Sequence, residues 1–498
     1  MFDNRRMQKK LIVGLVALSI VSSGHGADLD LKTIFRQGTP SSPFITVVYR
    51  YADTILQNGR DIYGPQKTGM FLTALDRETL SPLKIRPPAP AGIRDENRPW
   101  PHTEPLVGAN PQLNENLLRL LYFLKELSGE NRYAQAADDE LKWFLKNTQS
   151  PVTGLLPWGE HLSWNVMTDE IASGQQELIY KFYRPWMLWS KCFELAPQES
   201  KRFALALWDS NTQDHKGSEP NSLTNFHRSS AKSAFQSPRQ AGFYIRTWAE
   251  AYAYTKDQPF LKAIDVLLTH FQKKGLLKIE PNEQQNSSAN ACEILSLAID
   301  CDGAARKVLE PLRTRLIRFT ASADETFCSL PHDLKSKKGF VMGFNSVTNK
   351  PDIYTPLWDP KYSGNTTAKV AMMCVSRYEN TAGVKYRDLI IKAADAYMNS
   401  LPGDDVDAWP MTFGHVISLQ LAAFRATARQ EYYISAFKLA ETAVEKFFGN
   451  NPLPRASLKT DYYDNTTGAD TLALALAELH LSILHITAVR TPANTIDR

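Results

Sequence analysis

SPRQAGFYIRTWAEAYAYTKDQPFLKAIDVLLTHF, residues 237–271, reads as two helices joined by a short polar turn. Ser237 is a good N-cap and Pro238 suits the first helical position, so Arg239 falls in the first turn, beside amide N–H groups that have no partner within the helix. A carboxylate is welcome at such a place. Helical spacing then carries one face through Arg239, Phe243, Arg246 and Glu250, while Ala241, Gly242 and Ala249 are small enough to let neighbouring helices approach. After the turn comes an aromatic followed by an apolar stripe, and that opening recurs. GENRYAQAADDELKWFL begins at 129, GVKYRDLIIKAADAYM at 383 and ARQEYYISAFKLAETAVEKFF at 428. Repetition at hairpin period is how stacked α-hairpins reveal themselves.

Amphipathic stretches lie near 45–58, 111–128, 131–147, 174–195, 200–211, 239–255, 258–273, 288–299, 304–318, 365–378, 384–399, 413–428, 430–448 and 468–487. Strand signals are few. The expected class is all-α, an (α/α)6 or (α/α)7 toroid or barrel built from helical hairpins. An open α-solenoid is the alternative, and ring closure is favoured by chain length and by long, aromatic connecting loops.

The run Arg239-Gln240-Ala-Gly-Phe-Tyr244 at a helix head, with its alanine- and aromatic-rich continuation, resembles the periplasmic pectate lyases of polysaccharide lyase family 2, over residues 45–260. The resemblance implies an (α/α) toroid that removes the proton next to a uronate carboxylate. It also implies an arginine as base, here Arg239, and a divalent cation held by histidines and a glutamate. Two positions depart from that pattern. Gln240 stands where the resemblance leads one to expect histidine, and Lys181 stands near a second such place, so dependence on a divalent cation is in question.

The first residues read as an export signal. Arg5, Arg6, Lys9 and Lys10 precede an apolar run from Leu11 to Val21, and Gly24 and Gly26 supply small residues for cleavage. That run is shorter than the roughly 20 apolar residues a spanning helix needs, and no later segment qualifies. The expectation is a signal peptide at 1–26, a single catalytic (α/α)-barrel domain at 27–498, a secreted or periplasmic location, and no transmembrane segment after signal removal. Losing the signal takes away four basic residues and one acidic one, and the formal charge falls from +4 to +1. Nucleic acid binding then has no global electrostatic support; an acidic oligo- or polysaccharide would have to be held by local charge, as around Arg239 and Arg246. Of the five cysteines, Cys292 and Cys301 bracket one helix roughly 13 Å apart, beyond bridging distance. All five read mainly as buried thiols.

Several connectors are too rich in aromatics to be plain loops, and such segments tend to carry function. The proline-rich stretch at 84–115 holds Trp100, His102, Glu104 and Glu115. TGLLPWGEHLSWNV, 153–166, packs Trp158, Glu160, His161 and Trp164 together; Glu160 and His161 are candidates for acid/base work or metal binding, against a structural, hydrogen-bonded histidine. In YKFYRPWMLWS, 180–190, Tyr183, Arg184 and Trp186 can form a sugar platform with a carboxylate clamp, or equally core aromatics beside a surface arginine. His215 and His227 are the imidazoles nearest Arg239 in sequence. Trp358, Asp359, Trp409, His415, Tyr462, Tyr463 and Asp464 supply further cavity-edge groups.

The reading that absorbs most of these features is β-elimination on a uronic-acid-containing, pectate-like glycan. Arg239, His161, Glu160 and Tyr244 are the catalytic candidates, with His161 or Tyr244 as base if Arg239 only clamps the carboxylate. Trp158, Tyr183, Arg184, Trp186, Arg246, Trp358 and Trp409 are the substrate-binding candidates. Two other classes stay open. A glycoside hydrolase of the (α/α)-barrel class needs paired carboxylates, for which Glu160, Asp359 and Asp464 are available; a non-catalytic glycan-binding protein would account for Gln240 and Lys181.

Overall fold

Two kinds of helix alternate along the chain, and their composition decides where each sits. The helices Pro410–Thr427 and Ala469–Ile483 are buried nearly all round, whereas Asn131–Thr148 and Gln258–Lys274 bury one stripe and expose the other. A helix apolar on every side belongs inside, and an amphipathic one on the rim. A computed structural model of the chain describes residues 42–95, 98, 105–159, 162–173, 185–212 (side chains to 207), 234–235, 237–277, 288–361, 365–485 and 491. Residues 41–498 form one unit.

Among the described residues the helices are α1 (Pro43–Asn58), α2 (Glu115–Ser128), α3 (Asn131–Thr148), α4 (Trp189–Leu195), α5 (Pro197–Thr212), α6 (Pro238–Thr255), α7 (Gln258–Lys274), α8 (Ala291–Ala305), α9 (Leu312–Cys328), α10 (Thr367–Thr381), α11 (Val384–Tyr397), α12 (Pro410–Thr427), α13 (Gln430–Ala443) and α14 (Ala469–Ile483). Helix α6 packs on α8, α8 on α10, α10 on α12, α12 on α14, and α14 returns to α2 and α1. The short α4 touches α3 on one side and α6 on the other, filling the gap between α2 and α6. The chain therefore closes into a ring of α-hairpins, an (α/α) toroid, with α1, α3, α5, α7, α9, α11 and α13 outside. None of the described helices is long and apolar enough to cross a membrane.

The inner helices run the same way. Gly242 lies against Leu297 and Asp300 while Gly303, further along, lies against Arg246; likewise Gly468 meets Met411, and Gly414 meets Thr471 and Leu472. Contacts that advance together on both partners mean parallel axes. The inner-to-outer turns then fall at one end; that between α8 and α9 spans 306–311, and the others are shorter. Inner helices end on a left-handed residue at Gly129, Lys256, Ala382 and Ala428, and the outer helix starts two residues later. The cap N–H groups of Lys256, Ala382 and Ala428 bond to the carbonyls of Tyr252, Tyr378 and Phe424, which offsets the cost of a left-handed non-glycine residue.

These turns account for the repeat in the sequence. The aromatic that opens each outer helix is Tyr133, Phe260, Tyr386 or Tyr432, all buried. Tyr133 donates to Asp53 at 2.8 Å, Tyr386 to Asp324 at 2.7 Å and Tyr432 to Asp395 at 2.7 Å. Each acceptor sits on the preceding outer helix, so hydroxyl and carboxylate tie hairpin to hairpin around the rim. Phe260 keeps the packing without the bond.

The outer-to-inner connectors, where described, lie at the end where the inner helices begin. They carry the short antiparallel pieces β1 (Ala74–Leu75), β2 (Gly108–Ala109), β3 (Leu162–Asn165), β4 (Glu170–Ser173), β5 (Ala289–Asn290), β6 (Val341–Asn345), β7 (Lys350–Tyr354) and β8 (Tyr463–Asp464), in three small sheets β1–β8, β2–β3–β4 and β5–β6–β7. Pairing of Ala74 with Asp464 and of Leu75 with Tyr463 fastens the first connector to the last. Strands of two to five residues are too short to show an alternating pattern, which is why periodicity does not mark them. One helix boundary differs from the sequence expectation of 304–318: α8 runs to Ala305 and α9 starts at Leu312, after Pro311. Of the expected 174–195 helix, 174–184 lie outside the described residues, 185–188 are not helical because Pro185 precedes the turn, and a helix runs over Trp189–Leu195. All five cysteines are free thiols; Cys192, Cys292, Cys301 and Cys374 are buried and Cys328 is half-buried.

Candidate active site

Parallel inner helices bring their N-termini, with unpaired amide N–H groups, to one mouth of the ring under the long connectors. Local sequence fixes each start. Ser237 caps α6, its hydroxyl accepting from the Gln240 amide at 3.3 Å, with Pro238 opening the helix. Asn290 caps α8 by accepting from Cys292, and Thr366 caps α10 by accepting from Lys369. Pro410 opens α12. Gly468, at φ 81°, precedes α14 with Met411 so close that a Cβ would sit 2.5 Å from the Met411 Cβ.

On α6 the packing identifies the inward face. Trp248 donates to the Ala204 carbonyl of α5 at 2.9 Å, which marks the outer side; Gly242 and Arg246 mark the α8 side. Arg239 and Phe243 lie on the side opposite Trp248, next to that α8 flank. The Arg239 guanidinium carbon lies 5.3 Å from the centre of the Phe243 ring, so the charge rests on an aromatic face inside the mouth, half-buried. At similar depth, within the first two turns of the inner helices, stand Asn116 and Arg119 of α2, Glu293 and Ser296 of α8, Lys369 of α10, His415 of α12 and Thr471 of α14. Asn116 donates to Thr471 at 3.0 Å and accepts from Arg119 at 3.0 Å. Lys369, only 2% exposed, donates to Asn365 at 3.1 Å. The Ser237 hydroxyl, besides capping α6, donates to Glu293 at 2.7 Å, joining the starts of α6 and α8. Among the described residues the starts of the inner helices thus hold the cations Arg119, Arg239 and Lys369, the His415 imidazole, and the carboxylates Glu293, Glu115, which accepts from the Met187 amide, and Asp470, which accepts from the Leu117 amide.

Of these, the sequence marks Arg239 as catalytic, and Glu115 and His415 only as members of a connector and a cavity edge. Arg119, Glu293 and Lys369 escape it. Each stands within the first two turns of an inner helix, so laying the inner helices side by side from their caps is the signal that finds them.

The remaining candidates fall elsewhere. Glu160, His161, Tyr183 and Arg184 lie outside the described residues, as do Trp100, His102, Glu104, Lys181, His215 and His227. Trp158 and Trp186 are each 1% exposed, with ring centres 5.1 Å apart, and Trp158 packs against Trp189 of α4 and Phe203 of α5; the Trp186 indole donates to Cys192. They are core, and no ring face is presented to a ligand. Tyr244 has no exposed surface and stands edge-on to Trp248, away from the mouth. Arg246 shares the face of Arg239 but lies about 10 Å deeper, where it is 3.2 Å from Asp300. Trp358 is 5% exposed and donates to the Ser400 hydroxyl; Trp409 is 4% exposed and donates to the Ala91 carbonyl. Both fasten connectors together.

Tyr462 and Asp464 are likewise internal struts. Tyr462 donates to Asp464 at 3.0 Å, and Arg98 reaches both, its guanidinium 3.9 Å from the carboxylate. Burial, then the Asp464 charge, holds the Tyr462 hydroxyl well above its usual range, so it stays a donor. Asp359 accepts from the Lys361 amide in a surface turn. As for a metal, no group of three or more His, Cys, Asp or Glu is gathered among the described residues, and the side chain that follows Arg239 is the neutral amide of Gln240.

Comparison with known proteins bears on the same end of the chain. Residues 98–262 match the periplasmic pectate lyase family. The matched segment runs from Arg98 through α2 and α6 into the start of α7, and contains Arg119 and Arg239. The resemblance read from the Arg239 motif is thereby supported over a somewhat narrower span than 45–260. In shape the chain is similar to a D-mannose isomerase (9% identity, TM-score 0.49, 89% of this chain and 100% of that one). It is also similar to the α-1,6-mannanase of Salegentibacter sp. HEL1_6 (10% identity, TM-score 0.44, 87% and 98%). A third likeness is to an unsaturated glucuronyl hydrolase specific for heparin (12% identity, TM-score 0.44, 89% and 98%).

Proposed function

We propose that this protein is an exported carbohydrate-active enzyme that cleaves a uronic-acid-containing, pectate-like polysaccharide by β-elimination. The observation that carries the reading is Arg239. It sits in the first turn of α6, stacked on Phe243 inside the ring mouth, within the segment that matches the pectate lyase family. A uronate carboxylate placed there meets the guanidinium and the amide N–H groups of the helix start. Lys369 and Arg119 add positive charge across the mouth. Neutralising the carboxylate acidifies the adjacent C5–H. As that C–H bond breaks, its electrons form the C4=C5 double bond and the C4–O glycosidic bond is lost; the leaving oxygen takes up a proton. Arg239 is the proposed acceptor of the C5 proton, a role that follows from the family resemblance, with His161 as the substitute if Arg239 serves as clamp alone.

In this reading residues 1–26 are removed on export, 27–498 form the single catalytic domain, and the mature protein works in the periplasm or outside the cell. Incubation with polygalacturonate tests it. Growth of the ultraviolet absorbance of an unsaturated uronate supports elimination; new reducing ends without that absorbance would replace it with hydrolysis, and binding with neither would leave a glycan-binding protein.

A further inference from the structure

The start of α6 carries a buried polar group that the described residues leave unanswered. Gln240 follows Arg239 on α6 and is 7% exposed, yet its Oε1 has no hydrogen-bond donor among the described residues. Its backbone is accounted for, since the amide N–H donates to Ser237. By helical spacing the side chain lies on the flank of α6 turned toward α4, the flank on which Tyr254 and Phe193 stack at 4.7 Å further down the helix. Its own end of that flank is the mouth, one residue from Arg239. A buried carbonyl oxygen without a donor is costly to a fold unless something else supplies the donor.

We propose that the Gln240 carbonyl accepts a hydrogen bond from a ring hydroxyl of the bound sugar, next to the carboxylate held by Arg239, and so selects the stereochemistry of the residue cleaved. The inference rests on the uronate reading for the position of the carboxylate. Three features favour a hydroxyl over a cation as the partner. The amide is neutral and offers one oxygen, whereas a hard divalent ion gathers six or more oxygens. No group of three or more His, Cys, Asp or Glu stands near it among the described residues. Its sequence neighbour Arg239 is itself a cation on the same helix turn. A hydroxyl, by contrast, needs a single acceptor and is indifferent to a neighbouring guanidinium. A site built to bond a hydroxyl also discriminates strongly against the sugar that lacks it, because the carbonyl is then left unpaired.

The test uses the full chain with trigalacturonate and with mannotriose, measured by calorimetry in the presence of a chelator, for the wild type, Gln240→Leu and Gln240→Met. Wild-type protein is expected to bind trigalacturonate in chelator. Both variants should bind about tenfold more weakly, with unliganded melting temperatures equal to or above the wild type, since each removes a buried unpaired carbonyl. Two variants of different shape guard against a local packing fault in one. Equal affinity of wild type and both variants for trigalacturonate overturns the inference and leaves the uronate reading standing. Loss of wild-type binding in chelator, restored by Ca²⁺, overturns it in favour of a cation at Gln240. Binding of mannotriose alone, with the variant penalty, sinks the uronate reading and keeps the hydroxyl contact; binding of neither saccharide by the wild type overturns both.

Discussion

Arg246 and Asp300 face each other across the seam between α6 and α8 at 3.2 Å, with side chains 14% and 3% exposed. Two glycines make room for the pair: a Cβ on Gly242 would lie 2.8 Å from Asp300 Oδ2, and one on Gly303 would lie 2.7 Å from Arg246 Nη1. An arginine committed in this way belongs to the wall and not to the substrate, although the sequence puts it on the same helix face as Arg239. Removing one member of a buried pair strands the other charge, at a cost of about 3–5 kcal/mol. Arg246→Ala and Asp300→Ala are therefore expected to lower the denaturation midpoint clearly, by urea titration. Whatever protein remains folded should bind oligogalacturonate as the wild type does.

Arg239 should behave in the opposite way. Its guanidinium lies on Phe243 at the mouth, a contact worth about 0.5–1 kcal/mol at a partly exposed site. Arg239→Ala and Arg239→Lys should melt within a few degrees of the wild type. Turnover on polygalacturonate should fall by about a hundredfold or more in both, the scale for losing one preorganised donor to developing charge. Lysine keeps the charge and loses the two-pronged geometry. Full activity in Arg239→Lys would make the residue a point charge and nothing more.

The different fates of these two arginines mark what the sequence can and cannot convey. Periodicity and caps are local, so the hairpins, the α6 start at Ser237-Pro238 and the recurring aromatic of the outer helices are all legible. The partners are not. Tyr133, Tyr386 and Tyr432 are visible as a repeat, but the acceptors Asp53, Asp324 and Asp395 lie 80, 62 and 37 residues earlier, at separations no local pattern marks. Trp158 and Trp186 show a second limit. An aromatic cluster beside a glutamate and a histidine reads the same whether it lines a sugar groove or packs a core, and only the neighbours Trp189 and Phe203 decide it. Lys369 and Glu293 show a third: a charged residue near a helix start looks like a solvated one until the ring closes over it.

Ring closure itself depends on a glycine. At Gly414 an added Cβ would stand 2.8 Å from the Thr471 carbonyl oxygen and 2.9 Å from Leu472 Cα. These are backbone atoms of α14, which cannot swing away as a side chain would. Gly414→Ala has to push α12 and α14 apart, and overpacking of this kind costs about 1–3 kcal/mol. That outweighs the roughly 1 kcal/mol that alanine gains over glycine in a helix interior. The variant should unfold at lower urea than the wild type; an unchanged or higher midpoint would show that the α12–α14 seam is loose.

Two histidines, His480 buried and His332 half-buried, should make the fold sensitive to acid. His332 accepts from the Val341 amide at 3.0 Å through Nδ1 and pairs through Nε2 with the Phe327 carbonyl at 3.0 Å, so both nitrogens are satisfied only in the neutral ring. Burial lowers its pKa from 6.5 to about 4, and burial does the same for His480, which pairs with Ser42 at 2.9 Å. Between those values the unfolded chain binds protons that the folded chain refuses. Stability contributed by the neutral rings is present above pH 6.5 and is lost as the pH falls toward 4. Chemical denaturation at pH 7 and pH 5 should therefore show a smaller difference in His332→Gln than in the wild type.

Glu140 pulls the other way. It lies on α3 with no solvent exposure, and burial raises its pKa from 4.5 to about 8, with Asn114, Arg60 and the Phe71 amide pulling it back down. Here the folded chain holds a proton that the unfolded chain gives up. Folded protein is thus favoured below pH 4.5 and loses that advantage progressively as the pH rises to about 8, by an amount on the order of a few kcal/mol. A glutamine side chain cannot ionise and has nearly the same shape, so Glu140→Gln should remove this slope. The measurement is the denaturation midpoint of both proteins from about pH 5 to about pH 9, a range that brackets the raised value. The variant is expected to match the wild type at the acid end and to exceed it increasingly toward the alkaline end, and two curves that stay parallel would mean that Glu140 is ionised in the fold and compensated by Arg60.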